Sequence, residues 1–256
     1  MGTSDSTTRR DNGNNVTDGF CWAAPLGGCS GPITSEHLVS KALLGKKAYH
    51  RIGNDPMHGE GSVYIKLGAL SARILCKKHN GELGESADRA AKQLLDAFRA
   101  MRTPMSLRGA RILRPVTRQV SGVNYGRWLC KTHCDLMFAY GMTPDVAYVR
   151  YAFGRELPAP VHFYLPATVG QNLRLGTHAP VVSWRRLVNT ERPDLDAFSV
   201  TLSGYETLVC TIPYVWKGEP MIDRLGSIRM PTPVGEFRIS FNWDGEPVVE
   251  ERRTDA

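Results

Sequence analysis

Four residues that bind soft metal ions constrain the fold of this chain more than any other feature. They form two pairs along the chain, Cys21 with Cys29 and Cys76 with His79. Zinc is bound in proteins by tetrahedral sets of Cys and His that come as pairs from separate elements. The gap of two residues between Cys76 and His79 lets a tight turn direct both side chains at one ion, and the wider gap in the first pair is rich in glycine. We predict one structural Zn²⁺ bound by these four; the alternative is that some of the cysteines are small buried apolar side chains.

A Glu-His dipeptide, Glu36 and His37, lies between the two pairs. A carboxylate can hold a hard divalent ion, and a neutral imidazole can take a proton from water near pH 7. A dipeptide of this kind on its own is more often a surface feature. Its position between the predicted zinc pairs favours a functional site.

The composition indicates a globular protein. The chain has 256 residues, of which 42% are hydrophobic and 22% charged. It contains no apolar run near the roughly 18 residues that span a bilayer, and its polar N-terminus lacks the apolar core of a secretory signal. We therefore predict a cytoplasmic protein without membrane contact, in which thiols stay reduced and serve as metal ligands or core residues.

The net charge of +7 is unevenly distributed. Residues 38–118 carry 16 basic and 6 acidic side chains, and the rest of the chain is slightly acidic. A basic segment attracts polyanions, among which nucleic acid is the commonest. The alternative is a solvated basic face.

The order of apolar and turn-forming residues predicts an α+β protein with a tail and two domains. Residues 1–17 are polar and read as a disordered tail. In the first domain, 18–105, the turn signals in 46–68 indicate a loop, a short strand leads into Cys76, and one helix begins near Leu83, as apolar residues recur every three to four positions from there to Phe98.

The second domain, 106–256, is predicted to be mainly β with a helix at 125–141. Six strand-like runs follow that helix: VAYVRYAF, VHFYL, PVVSW, FSVTL, TLVCTIPYVW and FRISFNW. Cys130, His133 and Cys134 share one face of the predicted helix, where they are either metal ligands or core residues. Their apolar neighbours favour the core.

The stretches EHLVSKALLG and LCKKHNGELGESAD, preceded by two cysteines, resemble the HNH (His-Me finger) endonucleases. The resemblance covers roughly residues 18–100 and is strongest for the subgroup with a glutamate before the catalytic histidine and a closing Cys-x-x-Cys-Asn-x-x-Leu-Gly motif. It implies a treble-clef-like ββα-metal fold, in which a strand ends near His37 and a second strand leads into a helix.

The resemblance also implies roles for individual residues. His37 matches the general base that activates water against a phosphodiester. Glu36 and Asn80 match the ligands of a catalytic Mg²⁺ or Mn²⁺, and Asp88 would lie near that ion or its waters. The structural zinc would be held by the four Cys and His residues named above. Cations beside the motif, Arg73, Lys77 and Lys78, are predicted to contact phosphates of the nucleic acid, with DNA as the first choice.

The chain departs from the subgroup at three positions. His79 replaces a cysteine, Ser40 stands where a proline is common, and Ser71 stands near the position of the middle asparagine. Two other functions therefore stay open, a zinc finger that binds nucleic acid without cleaving it and an interaction protein that uses zinc only to fold. A double-strand cut by one such site per chain would favour a homodimer.

Overall fold

The computed structural model describes residues 20–44, 49–53, 62–66, 71–106, 116–166, 182–187, 197–202, 205–211, 221–232 and 235–246. In these ranges the chain is a mixed α+β protein, as predicted. The predicted tail, 1–17, lies outside them. No helix of the described ranges combines the length and apolar composition needed to cross a membrane.

A two-stranded antiparallel sheet joins the start and the end of the segment from Ile33 to Cys76. Strand β1 (Ile33–His37) pairs with β4 (Ser71–Cys76), so that Ile33 lies opposite Cys76 and His37 opposite Ser71. Between them come α1 (Lys41–Leu44), β2 (Tyr49–Gly53) and β3 (Ser62–Lys66). The prediction of a loop over 46–68 is wrong for two parts of that segment, because β2 and β3 pair with each other as antiparallel strands.

The helix predicted from near Leu83 to Phe98 is α3 (Ser86–Ser106), and the residues before it form a separate short helix, α2 (Lys77–Leu83). The break lies at Gly84, whose φ of +61° belongs to the left-handed region that glycine adopts most easily. Helix α3 does carry the predicted apolar face. Its buried side chains are Ala87, Ala90, Ala91, Leu94, Leu95, Ala97 and Phe98.

The central helix of the second part, α4 (Gly122–Ala139), agrees closely with the predicted 125–141. It begins three residues earlier because the Ser121 side chain caps it by accepting a hydrogen bond from the Asn124 N–H at 3.2 Å. It ends before Gly141, which has a φ of +73°.

The run VAYVRYAF is a helix, α5 (Val146–Ala152), and its prediction as a strand is wrong. The Asp145 carboxylate caps this helix by accepting a hydrogen bond from the Ala147 N–H at 2.7 Å. The β-branched and aromatic residues of the run suit a strand by propensity. Packing against α4 decides for the helix, which buries Tyr148, Val149 and Tyr151 completely.

Two further sheets complete the described part of the fold. The larger has the antiparallel order β10-β6-β9-β8-β7, and the smaller has the order β11-β12-β5, in which β5 runs parallel to β12. The other five strand-like runs each contribute residues to one of these sheets. The strands are β5 (Val116–Ser121), β6 (His162–Pro166), β7 (Val182–Leu187), β8 (Ala197–Leu202), β9 (Tyr205–Cys210), β10 (Met221–Asp223), β11 (Ser227–Thr232) and β12 (Gly235–Asn242).

One buried apolar cluster contains residues from both predicted domains. Trp22 and Phe98 from the first part belong to it together with Trp128 and Phe241 from the second. Helix α4 lies against α3, α5 and β4 and so connects the two parts. The division between 18–105 and 106–256 stays a prediction about the chain's organisation.

Cys130, His133 and Cys134 lie in this core. The His133 ring is stacked on Phe198 with 3.9 Å between centroids, and its Nδ1 accepts a hydrogen bond from Trp184 Nε1 at 3.1 Å. Burial, with a smaller contribution from Arg186, lowers the pKa of His133 to about 3 from its ordinary 6.5. The histidine is therefore held neutral as a packing and hydrogen-bonding residue.

We expect acid to destabilise the protein through His133. Below pH 6.5 this histidine is protonated in the unfolded chain, whereas in the folded protein it stays neutral down to about pH 3. Between these two values the free energy of unfolding therefore decreases by up to about 1.4 kcal/mol for each unit that the pH is lowered. His133→Gln keeps an acceptor for Trp184 and does not titrate. Urea unfolding at pH 7 and pH 5 should show the wild type losing roughly 2 kcal/mol more than the variant. Equal losses would contradict the assignment.

Candidate metal centre and the Glu36 ion pair

The two predicted ligand pairs meet at one point. Nδ1 of His79 lies 3.4 Å from Sγ of Cys21, 3.6 Å from Sγ of Cys29 and 3.4 Å from Sγ of Cys76. All four donor atoms lie within 4.8 Å of one another. Zn–S bonds of about 2.3 Å and a Zn–N bond of about 2.0 Å at a tetrahedral angle place sulfur and nitrogen about 3.5 Å apart. The four residues are therefore positioned to bind a metal ion, in a geometry compatible with zinc.

Local structure aims each donor at this point. Cys76 ends β4, and its sulfur accepts the N–H of His79 in the first turn of α2 at 3.5 Å. On the other side of the centre, Cys21 precedes a 3₁₀ turn at Ala24–Leu26. The Trp22 N–H donates to the Ile74 carbonyl at 3.1 Å, which fixes the first pair beside β4.

Two of the three thiols resist losing their protons when no metal is bound. Burial raises the pKa of Cys21 to about 12 and raises that of Cys29 as well. For Cys76, burial acts in the same direction, but backbone N–H groups of His79 and Ser30 and the neighbouring thiols hold the pKa below its ordinary value. A metal ion that binds these cysteines as thiolates must displace the thiol protons. Metal binding is therefore coupled to proton release here.

Asn80 lies in α2, and His37 is the last residue of β1. The Asn80 Nδ2 donates to Oγ1 of Thr34 at 2.9 Å, and that hydroxyl donates in turn to the Leu75 carbonyl at 3.0 Å. His37 is partly exposed, with its Nδ1 buried and unpartnered among the described residues. Thr34 and Glu36 share one face of β1, since side chains alternate along a strand.

Glu36 is engaged in a buried ion pair. Its Oε1 lies 2.6 Å from Nζ of Lys131, which comes from α4. The same ammonium lies 3.1 Å from Oδ2 of Asp135 and donates to the His37 carbonyl at 3.4 Å. Asp135 also accepts a hydrogen bond from Trp22 Nε1 at 2.8 Å. Glu36 and Asn80 thus have separate partners, and their expected convergence on one hard metal ion stays a prediction.

The environment keeps Lys131 charged. Burial by itself would lower the pKa of Lys131, but the carboxylates of Asp135 and Glu36 hold it above its ordinary value. Burial raises the pKa of Asp135 to about 7 against the opposing effect of Lys131. The ammonium is therefore the fixed charge of this network.

The predicted phosphate-contacting cations lie on the surface beside the metal centre. Arg73, Lys77 and Lys78 are all exposed. Arg73 donates to the Ile33 carbonyl at 3.1 Å. Lys78 lies 3.8 Å from Glu82 and lines a cleft of about 440 Å³ with His79, Arg150 and Arg155. Glu82 and Glu156 also line this cleft, and Arg155 is paired with Glu82 at 3.3 Å, so the cleft carries charges of both signs.

Sequence reasoning missed Lys131 and Asp135. The signal was present, because two opposite charges four residues apart stand in the otherwise apolar stretch WLCKTHCDLMF. Charged residues are almost never fully buried unless they are paired. A pair in such a setting indicates a buried network, although not its other members.

Comparisons with known protein families, with curated proteins and with solved structures find no significant match to this chain.

Substitution of Cys29 tests the metal centre, because Cys29 is its exposed member. Replacing an exposed cysteine that binds no metal changes the free energy of unfolding by about 0.5 kcal/mol or less. If a metal is bound, Cys29→Ala should clearly lower the melting temperature. Elemental analysis should find one metal ion per chain in the wild type and less in the variant. Cys210→Ala, outside the centre, is the control and should keep the ion. Metal-free but folded wild type would contradict the assignment.

Proposed function

We propose that this chain is a zinc-stapled endonuclease that hydrolyses phosphodiester bonds in nucleic acid, DNA in the first place, with His37 as general base. One observation carries the proposal. The pairing of β1 with β4, and the passage of β4 through Cys76 into α2, bring the metal centre, Glu36, His37 and Asn80 into one small unit. This is the order of elements implied by the resemblance to HNH endonucleases.

We assign zinc as the ion of the centre. Three sulfur donors and one imidazole form a soft tetrahedral set, which favours Zn²⁺ over the harder Mg²⁺ and Mn²⁺. Four protein donors fill a tetrahedral ion, so this zinc has no open position for a substrate or a catalytic water. Its role is to hold the 21–29 segment against the junction of β4 and α2.

His37 is the residue that would take a proton from the attacking water. A neutral imidazole can accept a proton from water, which suits a general base. The Nδ1 atom is buried, so water and substrate would reach the ring from the side of Nε2. The carbonyl of His37 is fixed by Lys131, which holds the end of β1 in place.

A catalytic Mg²⁺ or Mn²⁺ on Glu36 and Asn80 does not fit the positions of these side chains. The Glu36 carboxylate is already paired with an ammonium, and the Asn80 amide is bound to Thr34. We therefore route no step of the reaction through such an ion. The exposed cations Arg73, Lys77 and Lys78 would supply the attraction for phosphates.

A second function, binding of nucleic acid without hydrolysis, is favoured by the Glu36–Lys131 pair. A carboxylate with 16% of its side chain exposed and an internal partner contributes to stability without any catalytic role. The same zinc centre and basic surface would then form a nucleic-acid-binding module.

A nicking assay on supercoiled plasmid separates the two functions. We expect zinc-loaded wild type to nick DNA, and His37→Ala to be slower by about a hundredfold or more, since a general base contributes 10²–10⁴-fold. Each reaction is run with Mg²⁺, with Mn²⁺ and with a divalent-free buffer. Intact plasmid in all reactions, with DNA binding retained, would replace the first function by the second.

Loss of Lys78 should weaken binding in a salt-dependent way. If Lys78 contacts one phosphate, Lys78→Gln should reduce the slope of log affinity against log salt by about 1 for duplex DNA. Arg229→Gln removes an equal charge from an exposed position on β11 and serves as the matched control. Fluorescence anisotropy over a salt series measures both. Equal slopes for the two variants would remove Lys78 from the interface.

A further inference from the structure

Lys131 is a buried cation that pairs directly with Glu36. It is 4% exposed. Its ammonium forms ion pairs with the Glu36 and Asp135 carboxylates and donates a hydrogen bond to the His37 carbonyl. Three oxygen-bearing groups therefore lie close to this one cation.

The acceptors around this ammonium are themselves held in place. Asp135 is fully buried and receives the indole N–H of Trp22, which follows the metal-centre residue Cys21. Glu36 lies on β1, which pairs with β4 from Ile33 to His37 with one register shift between Thr34 and Ser35. The ammonium of Lys131 is therefore held between β1 and its own helix α4.

Negative charge exceeds positive charge around Lys131. Glu36 and Asp135 face it directly, and Asp88 on α3 is close enough to interact electrostatically with it. The Oδ1 of Asp88 is buried without a hydrogen-bond partner among the described residues. Two carboxyl groups thus pair with the ammonium and a third lies within electrostatic range, a composition that suits a divalent cation if the ammonium is removed.

The ammonium and a divalent ion would compete for the same place. Nζ lies 2.6 Å from Oε1 of Glu36, and a hard cation would lie about 2.0–2.6 Å from a carboxylate oxygen. Two cations that share one oxygen at such distances repel each other strongly in a buried setting. Binding of one therefore excludes the other.

We propose that Lys131 is the built-in cation of the Glu36 site, that it excludes Mg²⁺ and Mn²⁺ from Glu36, and that removal of its ammonium turns the surrounding carboxylates into a divalent-cation site. The proposal deepens the proposed function in one respect, because it makes any hydrolysis by His37 independent of a metal ion on Glu36. It concerns cation binding and is tested without a cleavage assay.

The experiment measures Mn²⁺ binding to full-length, zinc-loaded protein by the loss of the free Mn²⁺ signal in electron paramagnetic resonance. Lys131→Met removes the charge and keeps most of the aliphatic stem. We expect no stoichiometric Mn²⁺ binding by the wild type and one Mn²⁺ per chain for Lys131→Met. The double variant Glu36→Gln with Lys131→Met should bind Mn²⁺ at least about tenfold more weakly than Lys131→Met.

Two results would overturn the proposal. One is binding of a single Mn²⁺ by the wild type that Glu36→Gln abolishes, a result that needs no variant at Lys131 and so holds even if Lys131→Met does not fold. The other is a folded Lys131→Met that binds no Mn²⁺. A failure of the plasmid assay with His37→Ala affects neither measurement, so the two proposals fail independently.

Discussion

The meeting of four metal donors is the constraint on which the first part of the structure depends. The unit around β1, β4 and α2 contains a sheet of only two strands, and such a sheet is marginally stable in water without further support. The donor cluster supplies that support by joining Cys21 and Cys29 to the end of β4 and the start of α2. Because burial raises the pKa of Cys21 and Cys29, a bound metal ion also resolves the unfavourable charging of these thiols.

The second support of this unit comes from α4. Lys131 and Asp135 reach from that helix to Glu36, to the His37 carbonyl and to Trp22. Breaking a buried pair by removing one partner typically costs 3–5 kcal/mol. The ends of β1 and the metal-binding loop are therefore fixed by the second part of the chain as well as by the ion. The position of Glu36, which a nuclease would use for catalysis, is set here by packing between the two parts.

Secondary structure could be predicted where local sequence signals determine it. The prediction failed where tertiary packing or a single residue determines the local structure. Helix α4 and the strands β4, β6, β8, β9 and β12 follow from apolar patterns bounded by turn residues. The segment VAYVRYAF has strand propensity, yet burial of Tyr148, Val149 and Tyr151 against neighbouring elements makes it a helix. The predicted helix begins at Ser86 instead of near Leu83, because Gly84 with its positive φ separates it from α2.

The sequence by itself determined the donor set of the metal centre and the order of the elements that carry it. Cys, Cys, Cys and His are donors by chemical type, and Cys76 and His79 lie close in the chain, so their local geometry follows from a strand that runs into a helix. Only the tertiary structure decided the partners of Glu36 and Asn80. Lys131 is 94 residues from His37, whose carbonyl it contacts, and no local pattern specifies which distant side chain will lie against a given strand. A buried charge must find an opposite charge, but the fold chooses which one.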